Sequence, residues 1–220
     1  MRTVRLAHEV SGEPGAPPLV LLHALGETAA DWSEVTADLS RHWRVYALDL
    51  RGHGRSDWPG DYSLEAMRDD VLRFLDMLGL DRVNVIGHSM GGVVAYLLAA
   101  RYPERVGRLV LEDVPAPFPR EPVAPARPGG PLSFDWAVVP AVKGQLDTPD
   151  PAWWEGLREI TAPTLAVAGG PRSPVPQDGI EQLAEQIPDC RVVIIPAGHL
   201  VHAERPAEFV RAVLGFLRPD

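Results

Sequence analysis

Val83-Asn84-Val85-Ile86-Gly87-His88-Ser89-Met90-Gly91-Gly92 is the stretch that decides how this chain folds. Val83 to Ile86 is a short apolar run of strand type, and Val93 to Arg101 continues as an apolar helix beginning near Gly92. A serine between the two must occupy a tight, strained turn. Glycines at 87 and 91 remove the side chains that would collide with the neighbouring strand and helix. The Ser89 hydroxyl is thereby pushed out above a sheet.

Outward from this point the same alternation recurs. Leu19 to Leu22 and Val45 to Leu50 read as inner strands, with a helix over Asp31 to Leu39 that turns Trp32, Val35 and Leu39 to one face. Ser63 is an N-cap for a helix carrying Leu64, Met67, Val71, Leu75 and Leu78 at threes and fours, stopped by Gly79. Downstream, Leu109 to Leu111, Thr164 to Val167 and Val192 to Ile195 are strands. Ile180 to Gln186 and a segment opened by Pro206 are helices. Strand and helix in this rhythm predict an α/β fold, a mostly parallel sheet with helices on both faces. The rhythm breaks from Val114 to Ala162, a proline-rich segment with aromatic points at Phe118, Phe134, Trp136, Trp153 and Trp154. Sparse regular structure and a lid or rim are expected there.

Composition narrows the function. A length of 220 residues with 45% apolar residues suits one domain over 1–220 that includes the 114–162 insertion. The formal charge of -9, with Lys143 the single lysine and the arginines scattered, argues against nucleic acid as a partner. No apolar run approaches the roughly 20 residues that span a bilayer, so no membrane partner is expected. Charges in Met1-Arg2-Thr3-Val4-Arg5 do not suit a secretory signal, and Cys190 has no second thiol to pair with. A cytoplasmic protein, monomeric or a weak homo-oligomer, is the expectation.

The chain resembles the α/β-hydrolase superfamily over nearly its whole length, as a short member with a reduced cap. Four segments carry the likeness: His23-Ala24-Leu25-Gly26, Asp49-Leu50-Arg51-Gly52-His53-Gly54-Arg55-Ser56, the turn at Ser89, and Gly198-His199 followed by Glu204 and Pro206. The resemblance implies a serine esterase with Ser89 as nucleophile and His199 as base. His202 is the rival base. His88 and His53 read as packing or turn-holding residues, and His8 and His42 as surface.

Many relatives carry the acid after the strand that here runs Thr164 to Val167, but the matching place holds Arg172, which cannot orient an imidazole. Some families draw it from the end of the preceding strand. Leu111-Glu112-Asp113 supplies two carboxylates there, and alternation turns them to opposite faces. Asp113 lies nearer the strand's C-terminal edge, where sites in such sheets collect, and is the choice. Glu112 and Asp178 are the alternatives, Asp178 also suiting a helix cap. The amide of Met90 at the start of the helix is one oxyanion donor, and the resemblance implies the amide of Leu25 as the second. No ligand cluster in the sequence calls for a metal or an organic cofactor.

The function expected is cleavage of an ester or related acyl bond in a small-molecule substrate through an acyl-enzyme. The other readings are a ligand-binding protein that does no chemistry, and a thioesterase or carbon-carbon hydrolase. With the cap reduced, a shallow and open pocket is expected.

Overall fold

A computed structural model describes residues 4–218. Met1, Arg2 and Thr3, which entered the reading of the N-terminus, lie outside the described residues. Strands β1 (His8–Ser11), β2 (Pro18–Leu22), β3 (Arg44–Leu48), β4 (Val83–His88), β5 (Val106–Glu112), β6 (Thr164–Ala168) and β7 (Cys190–Ile194) form one sheet. Their order is β1-β3-β2-β4-β5-β6-β7, antiparallel at β1 and β3 and parallel elsewhere.

The two faces bury different halves of each strand, as the period of two requires. Val20 and Leu22 of β2 and Leu109 and Leu111 of β5 face one core, which is closed by α2 (Leu64–Met77) and α3 (Met90–Arg101). Leu19, Leu21 and Val110 face the other, under α1 (Ser33–Leu39) and α8 (Pro206–Leu217). Helix α3 is buried from Met90 through Ala99 because it lies between the sheet, α2 and the following segment. That explains why its sequence is apolar all round and shows no amphipathic stripe.

Ser63 caps α2 as its sequence predicts, its Oγ accepting from the Ala66 amide at 3.1 Å. Helix α3 begins at Met90, directly after Ser89, earlier than the Gly-Gly pair suggested. Strand β1 was not expected. Its residues His-Glu-Val-Ser are half-buried or exposed and carry no apolar alternation, so only pairing with β3 makes it a strand.

The expectation of sparse regular structure over 114–162 needs correction. The segment contains α4 (Val138–Asp147) and α5 (Pro151–Gly156). Pro140 and Pro151 sit in first turns, where the missing N–H would have no intrahelical acceptor, so they do not break these helices. The extended part is anchored at Phe134, which bridges His53, and at Tyr62, whose hydroxyl donates to Asp135 at 2.6 Å.

Parallel register sets Leu22, Gly87, Leu111 and Ala166 side by side. The loops after β2, β4, β5 and β6 consequently leave the sheet at one edge. The candidate site collects there, as crevices in open α/β sheets do.

Candidate active site

Ser89 follows β4 at φ 49° and ψ −115°, a conformation costing about 1–3 kcal/mol for a residue with a Cβ. The surroundings hold it there. The Ser89 amide donates to the Glu112 carbonyl at 3.0 Å. A Cβ on Gly91 would lie 2.2 Å from the Leu22 carbonyl oxygen, and one on Gly92 would lie 2.1 Å from Val114 Cγ2. The glycines thus allow α3 to start against β2, and Ser89 is left half-buried at the sheet edge.

Asp113 leaves β5 at φ 46°, the second residue other than glycine in the left-handed region among the described residues. Its Oδ2 accepts from His199 Nδ1 at 2.7 Å. Its Oδ1 accepts from the Gly169 amide at 2.9 Å, and Ser173 Oγ donates to Oδ2. Burial pushes the carboxyl up, but these three donors outweigh it and hold the group below the usual aspartate range. His199, with Nδ1 engaged, is left with Nε2 as its lone-pair nitrogen, and its side chain is 29% exposed. Among the described residues no hydrogen bond joins Ser89 Oγ to His199. His88, next to Ser89 in the chain, links the two segments: its Nε2 donates to the His199 carbonyl at 2.8 Å and its ring lies 4.7 Å from that of His199.

The loop after β2 is held by two buried neutral imidazoles. His23 Nδ1 donates to the Ala24 carbonyl at 2.7 Å while Nε2 accepts from the Leu50 amide at 3.0 Å. His53 Nε2 accepts from the Gly26 amide at 3.1 Å, and Nδ1 donates to the Arg51 carbonyl at 3.0 Å. The Leu25 amide between them, like that of Met90, has no intramolecular acceptor among the described residues.

Burial first, then mutual repulsion, lowers His23 to about 3, and burial lowers His53 to about 4. Unfolding returns both toward 6.5, so the unfolded chain binds more protons below that pH. Their contribution is complete above pH 6.5 and is lost as pH falls toward 4 and 3. Each should cost about 2 kcal/mol at pH 5. Urea unfolding should show a net loss of stability between pH 7 and 5 in the native chain, opposed in part by His202, and a loss about 2 kcal/mol smaller in His53→Gln. An unchanged midpoint across that interval would contradict this.

The rival residues of the sequence reading have separate places. Glu112 is fully buried and accepts from His202, amide at 2.8 Å and Nδ1 at 2.9 Å. His202 also approaches Asp31, Nε2 to Oδ2 at 3.4 Å. Burial would lower His202, but the charges of Glu112 and Asp31 raise it to about 10. Two acid–histidine pairs therefore stand back to back, Asp113 with His199 and Glu112 with His202. Asp178 is exposed in the first turn of α6 (Gln177–Gln186), where its Oδ1 accepts from the Gly179 amide. It is not the N-cap, a position held by Pro176, because the helix starts earlier than Ile180.

Arg172, where many relatives place the acid, instead donates through Nη2 to the Ala197 carbonyl at 3.0 Å and so braces the loop of His199. Asp49 and Arg51 are framework residues, Asp49 accepting from the Ala29 and Arg55 amides and Arg51 pairing with buried Asp70. Sequence reasoning missed Ser173, the clamp by His23, and Asp31. A hydroxyl beside Arg172 was the one signal for Ser173; His23 and Asp31 offered none beyond residue type.

The alpha/beta hydrolase fold family model matches residues 17–138. A putative esterase/lipase of Haemophilus influenzae is 27% identical, the match taking in 97% of this chain and 87% of that protein. Epoxide hydrolase 4 of Mus musculus is 37% identical over 52% of this chain, and the match spans only 33% of its length. The solved structure of Est816, described as an N-acyl homoserine lactone degrading enzyme, superposes with a TM-score of 0.84 at 28% identity. It covers 97% of each chain. Seven strands in this order, a serine strained between β4 and α3, and a family model matching more than half the residues agree: the chain belongs to the alpha/beta hydrolase fold family.

Proposed function

We propose that the protein is a serine hydrolase that cleaves small carboxylic esters, lactones among them, through an acyl-enzyme. The observation that carries this reading is the 2.7 Å hydrogen bond between Asp113 and His199 beside a serine held at φ 49°. Ionised Asp113 keeps the proton of His199 on Nδ1, so Nε2 takes the proton of Ser89 Oγ as that oxygen attacks the acyl carbon. The carbonyl oxygen becomes an oxyanion, received by the free amides of Leu25 and Met90. Collapse expels the alcohol, which leaves with the proton from His199, and water repeats the sequence on the acyl-Ser89 ester.

The half-buried Ser89 and part-exposed His199 suit small, activated substrates, with the 114–162 segment as the rim of an open pocket. The names of the esterase/lipase relative and of the lactone-degrading neighbour support the same bond type. The test is labelling with a fluorophosphonate alongside turnover of p-nitrophenyl acetate, butyrate and octanoate and of an acyl lactone. One label per chain on the Ser89 peptide, with fastest turnover for the short esters, is expected. Tight binding of an ester without label or turnover would overturn the reading in favour of a receptor. Turnover confined to thioesters would move the leaving group to sulfur.

A further inference from the structure

Beside the turn at Ser89, three polar side chains converge with no partner for the atoms they present. Asp31 Oδ2, His88 Nδ1 and His202 Nε2 are all buried without a hydrogen bond. Asp31 Oδ2 lies 3.4 Å from His202 Nε2 and 3.9 Å from His88 Nδ1, and all three atoms fall within 4.8 Å of one another. Both histidine side chains are fully buried, and that of Asp31 is 11% exposed. Burying three such atoms unsatisfied is costly, so the geometry asks for an occupant.

The other nitrogen of each ring indicates which occupant. His88 donates Nε2–H to the His199 carbonyl at 2.8 Å, and His202 donates Nδ1–H to Glu112 at 2.9 Å. The nitrogen that remains on each ring faces Asp31, and a metal ion bound there would displace the proton that His202 otherwise carries. Histidines that bind metal ions are oriented in this way, the second ring nitrogen donating to a backbone carbonyl or a carboxylate. We propose that Asp31, His88 and His202 form a buried site for one divalent transition-metal ion, zinc by preference.

Two imidazoles and one carboxylate suit that ion, and donor atoms around tetrahedral zinc are roughly 3.3 Å apart, close to the 3.4 Å between Asp31 and His202 and shorter than the 3.9 Å between Asp31 and His88. Glu27 lies near enough for Asp31 to raise its carboxyl, after burial has done so first. It thus adds negative charge near the cluster. The ion's role is structural. It would tie the turn at Ala29–Trp32 to the Ser89 turn and to α7 (Val201–Glu204), the helix after His199. The three ligands are far apart in sequence and form no spacing motif, so the site was invisible before folding.

The proposal is independent of the hydrolytic reading, and its test measures binding, not turnover. Chelator-stripped protein is titrated with Zn²⁺ by calorimetry and with Co²⁺ by visible absorption. One ion per chain is expected at micromolar affinity or better, with Tm raised by about 5–10 °C at a hundredfold excess over Kd. Asp31→Asn and His202→Gln should each weaken binding at least a hundredfold, while His42→Gln, at an exposed histidine, leaves it unchanged. In the native protein, whether or not those variants fold, long-range ¹H–¹⁵N spectra should show His88 Nδ1 and His202 Nε2 shifting with Zn²⁺ while His199 stays put. No saturable binding below about 1 mM, or shifts confined to other histidines, would overturn the site and leave a proton on His202 as the occupant.

Discussion

Ser89→Ala should reduce kcat for ester hydrolysis roughly 10⁶-fold, about 8 kcal/mol of transition-state stabilisation. This is the largest expected effect, because in the proposed mechanism the bond to the acyl group forms at that oxygen and no neighbour replaces it. The substitution is also clean. Alanine keeps the Cβ, so the backbone at φ 49° experiences the same constraints, and the Ser89 amide still donates to the Glu112 carbonyl. Thermal unfolding should therefore match the native protein while fluorophosphonate labelling disappears. The residual rate over water should persist, since the amides of Leu25 and Met90 are untouched. A variant that retains more than about one hundredth of native turnover would place the nucleophile elsewhere.

Asp113→Asn should be the second largest loss, about 10⁴-fold in kcat, with KM little changed. The carboxamide nitrogen, set where Oδ2 now accepts from His199 and Ser173, becomes a donor. His199 then turns its lone pair to Nδ1 and carries its proton on Nε2, where it cannot take one from Ser89. The fold tolerates this, because the remaining Oδ1 still accepts from the Gly169 amide. Two comparisons separate the acids. Glu112→Gln disturbs His202 and should lower stability while costing less than tenfold in kcat, since Glu112 does not contact His199. Asp178→Asn, exposed on α6, should leave kinetics and stability alike unaltered. A collapse of kcat with Asp178→Asn and none with Asp113→Asn would reassign the acid.

Most of the sheet was legible because inner parallel strands are short, apolar and spaced by helices whose threes and fours are unmistakable, as in Leu64 to Leu78. What resisted reading was structure whose cause is not local. Strand β1 exists by virtue of its partner. Helices α4 and α5 form where prolines happen to fall in first turns, a distinction of one or two positions that separates a tolerated proline from a helix breaker. The clamps of the loop after β2 were hidden for the same reason: His23 and His53 hold it from two different segments, and a lone histidine carries no mark of its partner.

The chain's own residues determined the fold class and the strained turn at Ser89, since glycines at 87 and 91 leave room for the helix to start against the neighbouring strand. They also put a carboxylate pair at the end of β5 and a histidine pair in the segment after β7. Which acid serves which histidine was decided only by tertiary structure. Alternation along β5 ends at Glu112, and Asp113, thrown into the left-handed region, meets donors from β6's loop and from the segment after β7. Those partners are distant in sequence, and a hydrogen bond of 2.7 Å depends on where separate loops converge, which no local pattern encodes.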